Sequence, residues 1–299
     1  MSEQPFNLDI YSAERIRRIN EALDRYTPAE QTDPEILHKA MRYSLLAGGK
    51  RIRPLLCIAA AEAVGGTAEQ VLPTACALEM IHTFSLIHDD LPAMDDDDLR
   101  RGLPTSHKVF GEAMAILAGD ALHTLAFSTL ATFQESPDPL RVVRVIGMIA
   151  DASGSRGMCG GQVDDIAHEG KAVTPEELRH IHARKTGALL HVSLLSGAIL
   201  AGATLEHEVM LTRYGQHIGV AFQIVDDILD VVGDDAAIGK KTGSDANKDK
   251  ATYPKLFGLD ESRRLARESV HAALDALKPL DDAAAPLRGF AHFIVERNL

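Results

Sequence analysis

Two aspartate clusters carry the residues most able to do chemistry. They are Asp89-Asp90-Leu-Pro-Ala-Met-Asp95-Asp96-Asp97-Asp98 and, far downstream, Asp226-Asp227-Ile-Leu-Asp230. Two carboxylates ~4 Å apart repel by about 4 kcal/mol at the effective dielectric of a protein surface, so crowding several of them calls for a cation. Mg²⁺ suits such oxygen ligands, because it keeps several waters and is held by one or two carboxylates together with substrate phosphates. Acidic runs are usually solvated faces, but these two keep different company. Met80-Ile81, Phe84 and Leu86-Ile87 precede the first and Arg100-Arg101 follow it, while the second lies inside the largely apolar run from Val220 to Val232.

Basic residues are clumped against this acidic background: Lys50-Arg51-x-Arg53, Arg100-Arg101, Lys185, Lys240-Lys241 and Lys248-x-Lys250. Isolated surface cations are solubilising. These sit beside glycines and aspartates, as in Gly48-Gly49-Lys50 and Gly239-Lys-Lys-Thr-Gly243. Arginine forks and lysine point charges are how proteins grip phosphate groups. Acidic clusters with basic grips therefore suggest a diphosphate bridged by metal.

The elements that must position these groups read as helices. Asp33-Pro34 opens a segment ending at Gly48-Gly49, and Pro54 opens another ending at Gly65-Gly66, matching proline at the first turn and glycine past the last. Thr67-x-x-Gln70 and Thr174-Pro-Glu-Glu177 fit the capping box. Leu55–Ala63, Ala75–His88, Ala113–Leu130 and Ile181–Leu200 carry apolar residues at three- and four-residue spacing. The chain reads as all-α, one domain over residues 1–299 of about ten helices, with loops at 136–139, 168–174 and 233–252. On a helix, Asp226 and Asp230 lie one turn apart on one face, with Asp227 beside them. Asp89 and Asp95 would diverge on an ideal helix, and Pro92 should end or distort it so that they converge. His82 and Ser85 share the side of Asp89, so a cavity wall can run down from the acidic rim.

Composition narrows the function. With 45% apolar and 25% charged residues, the 299-residue chain is an ordinary globular sequence able to bury a substantial core. Its net charge of −12 argues against a nucleic-acid or anionic-membrane surface. Cys57, Cys76 and Cys159 are scattered and odd in number, and are expected to be reduced and buried in a cytoplasmic protein. The N-terminal residues lack the pattern of a secretory signal. The charge-free stretch from Ala188 to Leu205 contains His191, Ser193, Ser196 and Gly197, which suits a helix buried among helices better than a membrane span.

With these residues in view, the chain resembles the short-chain trans-prenyltransferases, most closely bacterial farnesyl diphosphate synthases. The matching segments are Gly48–Pro54, His82–Gly102, Gly160-Gly-Gln162, Lys185-Thr186, Phe222–Asp230, Gly239–Asp245 and Lys250–Pro254. They follow the family's order over most of the chain. The resemblance implies an all-α isoprenoid-synthase bundle around a deep central cavity, usually a homodimer. It implies a reaction in which an allylic diphosphate ionises, isopentenyl diphosphate attacks the carbocation and a proton is lost to the departing diphosphate. It implies Mg²⁺ as cofactor, three ions per site with diphosphate bound, with Mn²⁺ as a substitute. Asp89, Asp95 and Asp226 would be ligands, with Asp90 and Asp230 in support. Arg100, Lys185 and Lys240 would hold the allylic diphosphate, Lys50, Arg53, His82 and Arg101 the isopentenyl diphosphate, Lys250 would also bind substrate, and Thr186 and Gln223 would face the cation. Gln162 and Asp165 either line the diphosphate site or do not, and Gly160-Gly161 either serve it or permit close helix packing. His88, Asp120 and His123 are expected to be packing groups.

By the same resemblance, bulk one turn below the first aspartate stops the growing tail, and Phe84 followed by Ser85 resembles the fifteen-carbon enzymes. The alternatives are ten- or twenty-carbon synthases, or a non-catalytic partner subunit. Intact aspartate motifs speak against the last, and paired isopentenyl grips speak against a terpene cyclase or squalene-type synthase. The chain departs from the family in ending at Asn298-Leu299 rather than on a basic residue.

Overall fold

The computed structural model describes residues 6–232 and 250–296. The helices are α1 (Leu8–Tyr26), α2 (Glu35–Leu45), α3 (Ile52–Ala63), α4 (Ala68–Asp89), α5 (Ser106–Phe110), α6 (Glu112–Phe133), α7 (Pro139–Ser153), α8 (Met158–Ala167), α9 (Pro175–His182), α10 (Ala188–Leu200), α11 (Leu205–Val232), α12 (Tyr253–Phe257), α13 (Leu259–Ala276) and α14 (Ala285–Glu296). The all-α expectation holds. Both anticipated capping boxes form, at Thr67/Gln70 and at Thr174/Glu177, and Gly65 leaves α3 at a left-handed φ of 88°. α4 stops at Asp89, three residues before Pro92.

α3, α4 and α10 form the centre. α3 buries Leu55, Leu56 and Ile58 at 1% exposure or less, each contributing about 1.5–3 kcal/mol. α10 packs on α3 so closely that a Cβ on Gly197 would sit 1.9 Å from the carbonyl oxygen of Cys57. Most of α10 is buried, as expected for a helix among helices. α4 and α6 are also long and apolar enough to cross a membrane by composition alone, but α4 is packed inside the bundle against α3 and α6. α11 lies between α10 and α13.

Two features were not expected. Leu99–Arg100 (β1) and Leu103–Pro104 (β2) pair antiparallel as a minimal hairpin. Its central residues, Arg101 and Gly102, have φ of 54° and 77°, the left-handed pair that a two-residue hairpin requires. The anticipated continuous helix Ile181–Leu200 also contains a π-helical turn, Ala183–Gly187, which carries Lys185 and Thr186. α8 packs directly on this turn, where a Cβ on Gly161 would meet the Lys185 backbone nitrogen at 2.2 Å. Gly161 thus serves close packing. The cysteines are corrected in one respect: Cys57 and Cys76 are buried, but Cys159 is exposed on α8.

Candidate active site

The end of α4 delivers the first aspartates. Burial pushes the Asp89 carboxyl up to about 6; Asp95 adds to the rise and Lys185 opposes it. Asp90 is 3% exposed and accepts from Arg100 Nε at 3.0 Å, while Arg100 also donates to Asp97 at 2.9 Å. Asp90, expected to support a metal, orients Arg100 through its Oδ1. The reason is its place at the C-cap of α4, which turns its side chain toward the hairpin rather than along the face of Asp89.

Two lysines enter the rim, and both reach Asp165. Lys185 Nζ lies 2.6 Å from Asp165 on α8, and Lys250 Nζ lies 3.1 Å from Asp95 and 3.6 Å from Asp165. Burial alone would raise the Asp165 carboxyl, but Lys185 and Lys250 hold it below the usual carboxylate range. Asp165 thus joins the rim, whereas the Oε1 of Gln162 is buried with no protein partner.

The second cluster divides its labour. Asp227 is 2% exposed and accepts from Gln223 Nε2 and from the Tyr253 backbone N–H, both at 2.9 Å. Thr186 Oγ1 donates to Gln223 Oε1 at 2.8 Å. A chain of hydrogen bonds therefore runs from the π turn through α11 to the start of α12, fixing Thr186 and Gln223 together. Asp226 is half-exposed, and its field reaches Arg53. Asp230 is 8% exposed.

A basic pocket lies behind the rim. Arg101 donates to the Gly48 carbonyl and lies 3.6 Å from Glu79. Arg53 Nε and His82 Nδ1 are buried without hydrogen-bond partners. Burial lowers Arg53 to about 10 and, with Arg53 and Arg101 nearby, takes the His82 imidazole well below its ordinary value. Buried polar atoms left without partners are costly, and an anion would satisfy the Arg53 donor. Lys50 is exposed beside this pocket, its Nζ 6.0 Å from the Phe293 ring centroid. The hairpin explains how consecutive arginines serve different places: its left-handed turn sends Arg100 to the acidic rim and Arg101 to the pocket.

Below Asp89, Phe84 is 8% exposed and stacks on His123 of α6 at 4.6 Å, and His123 in turn meets Phe127 edge-on at 5.4 Å. Ser85 donates to the His82 carbonyl at 2.8 Å. His88 bonds the Ile116 carbonyl and lies 3.9 Å from Asp120, the packing arrangement anticipated. Lys240 lies outside the described residues.

Among the described residues, no three His, Cys, Asp or Glu side chains converge as a chelating group. Mg²⁺ does not need one, since it takes one or two carboxylates and completes its shell with water and substrate phosphate. The oxygen-only donors Asp89, Asp95 and Asp226 fit that demand.

The polyprenyl synthetase family pattern matches residues 34–284. This chain belongs to the polyprenyl synthetase family. It is 48% identical to a geranylgeranyl diphosphate synthase of Cyanophora paradoxa over 98% of this chain and 97% of that one. It is 49% identical to the large subunit 1 of a heterodimeric geranylgeranyl pyrophosphate synthase of Arabidopsis thaliana, covering 98% and 80%. Among solved structures it is similar to an FPP/GFPP synthase of Zymomonas mobilis, with a TM-score of 0.87 and 37% identity over 97% of this chain and 99% of that one. The chain is thus a trans-prenyltransferase, and its relatives are named mostly as geranylgeranyl rather than farnesyl diphosphate synthases.

Glu79 and Asp227 escaped the sequence reading as site residues. Asp227 was one of three neighbouring aspartates, and only its position one residue out of phase with Asp226 and Asp230 hinted at a different task.

Proposed function

We propose that this chain condenses isopentenyl diphosphate with an allylic diphosphate, head to tail, in the trans configuration. One observation carries the reading: the hairpin builds two anion sites of opposite character side by side. The rim, rich in carboxylates with Arg100, Lys185 and Lys250 among them, suits a diphosphate that arrives with Mg²⁺. The pocket of Arg53, Arg101, His82 and Lys50 suits a diphosphate held by side chains alone.

Arg100 and Lys185 would stabilise negative charge as the allylic diphosphate departs, held in advance by Asp90 and Asp165. Mg²⁺ on Asp89, Asp95 and Asp226 would supply further neutralisation of the leaving group. Lys240, by family resemblance, would join them. Lys50, Arg53, His82 and Arg101 orient the isopentenyl double bond toward the cation. Thr186 donates its hydroxyl proton to Gln223, so its oxygen lone pairs remain available to the developing positive charge.

Product length has two supports. The relatives' names favour geranylgeranyl diphosphate. We take geranylgeranyl diphosphate, which those names favour, as the product, and the Phe84–His123–Phe127 stack between α4 and α6 is the observation for farnesyl diphosphate as a second reading. Incubation with Mg²⁺, labelled isopentenyl diphosphate and dimethylallyl, geranyl or farnesyl diphosphate, with and without chelator, tests both levels. Chelator-sensitive geranylgeraniol as the end product supports the reading; farnesol keeps the reaction and moves the product to the second reading; no condensation with any starter refutes the reaction. Phe84→Ala is expected to extend the main product by at least one five-carbon unit, and an unchanged alcohol profile on chromatography would remove Phe84 from the floor.

A homodimer is part of the proposal. α6 leaves Ile116 and Leu117 exposed at 43% and 48%, an apolar face that a second copy would cover. The cytoplasm is the proposed compartment, supported by three cysteines that form no disulfide.

A further inference from the structure

Glu79 lies ten residues before Asp89 on α4, and its side chain is 1% exposed, deep beneath the basic pocket. Its Oε1 is 2.7 Å from Arg51 Nη1 and 3.6 Å from Arg101 Nη2, while its Oε2 is buried with no partner. Arg51 is 2% exposed and spends its remaining donors on Asn20 Oδ1 at 3.0 Å and the Leu45 carbonyl at 2.8 Å. Both arginines that reach Glu79 have left-handed backbones, at φ of 51° and 54°. Such conformations are uncommon for residues other than glycine and persist when the surroundings enforce them. Each of these arginines sits in a turn that carries pocket residues. Arg51 lies between Lys50 and Arg53, and Arg101 is itself a pocket cation whose guanidinium is pressed on Gly49, where a Cβ would come within 2.6 Å.

Two segments distant in sequence thus meet over one carboxylate. A buried ion pair is weak evidence of a stabilising role, because desolvating both charges offsets most of their attraction, and apolar replacements are often neutral or better. The arrangement at Glu79 instead fixes a geometry. We propose that Glu79 is a positioning residue for the non-allylic substrate: it ties the Gly48–Arg53 turn to the hairpin so that Lys50, Arg53 and Arg101 converge on one diphosphate. The inference rests on the reading of this pocket as the isopentenyl diphosphate site.

The charge of Glu79 and its positioning act in opposite directions. Removing a carboxylate beneath an anion site strengthens the local positive field and by itself would tighten binding of a diphosphate. Releasing Arg51 and Arg101 would loosen it. Positioning wins here because the carboxylate is already neutralised by Arg51 at hydrogen-bond distance, whereas it alone holds the Arg51 and Arg101 guanidinium groups together and so backs the direct bond from Arg101 to the Gly48 carbonyl.

The test is steady-state kinetics of Glu79→Gln with both substrates varied, with thermal unfolding alongside. The expected result is a rise of about tenfold or more in KM for isopentenyl diphosphate, with KM for the allylic substrate within about twofold of the parent. Equal rises for the two substrates would mark a merely structural role, and an unchanged or lower KM for isopentenyl diphosphate would mark a field effect; each overturns the proposal. If Glu79→Gln does not fold, Glu79→Asp keeps the charge but shortens the reach, and the same selective rise is expected, with its absence equally decisive. An inactive parent enzyme would instead count against the function proposed above, so the two failures are separable.

Discussion

Replacing Asp89 by alanine is expected to lower kcat for condensation by about three orders of magnitude without lowering thermal stability. Removing one preorganised group that stabilises a departing anion typically costs about 10²–10³ in rate, and Asp89 acts through metal charge as well. Stability should hold because Asp89 is an unfavourable carboxylate in the free protein. Burial and the charge of Asp95 raise its pKa to about 6, so the folded chain binds its proton more tightly than the unfolded chain does. At neutral pH that shift opposes folding, and the opposition disappears as pH falls below the ordinary carboxylate range. The alanine variant should therefore unfold at the same temperature as the parent or higher near pH 7. Single-turnover rates and melting curves check the two halves. A rate within tenfold of the parent would remove Asp89 from the leaving-group machinery, and a large drop in melting temperature would reassign it to the fold.

Asp227→Ala is expected to behave in the opposite way, destabilising the protein first and slowing it second. Its carboxylate is buried and accepts from Gln223 and from the backbone of Tyr253. The alanine variant leaves both donors without their partner, at about 1–3 kcal/mol for each buried group. Urea unfolding should show a loss of about 2–6 kcal/mol. Gln223 also loses the contact that orients its amide toward Thr186, so kcat should fall by about 10- to 100-fold. Full stability in this variant would mean that the link between α11 and α12 is dispensable. Neighbouring aspartates would then share a role that the structure divides between them.

Much of the helical frame was legible because it rests on local chemistry. Thr67 and Thr174 each precede a Gln or Glu at the third helical position, and both boxes close. Pro92 announced the end of α4. The carboxylate rim was legible for a different reason: excess like charge in an apolar setting has few physical excuses. What escaped the sequence depends on tertiary partners. Arg101-Gly102 could have signalled a tight turn through its glycine, but nothing local foretells an arginine at positive φ. Glu79 hid within an apolar run, where a single acid reads as an interruption until Arg51 and Arg101 arrive from elsewhere. Asp90 looked equivalent to Asp89, and one residue of helical rotation brings it to Arg100. Cys159, expected to be buried, is exposed on a short helix whose neighbouring Gly160 and Gly161 make the close packing.

The π turn at Ala183–Gly187 gives the helix one residue more than regular winding would use. Deleting a single residue there would restore ordinary i to i−4 bonding through the whole run from α9 to α10. It would also rotate Lys185 and Thr186 away from Asp165 and Gln223 by roughly a hundred degrees relative to the helix on one side. A shorter, more regular helix and a correctly aimed lysine are thus mutually exclusive at this point. Length variation among descendants of this gene should be tolerated in the surface connections and rejected here, so that reading frame in the helix, rather than the identity of any one side chain, becomes the inherited constraint.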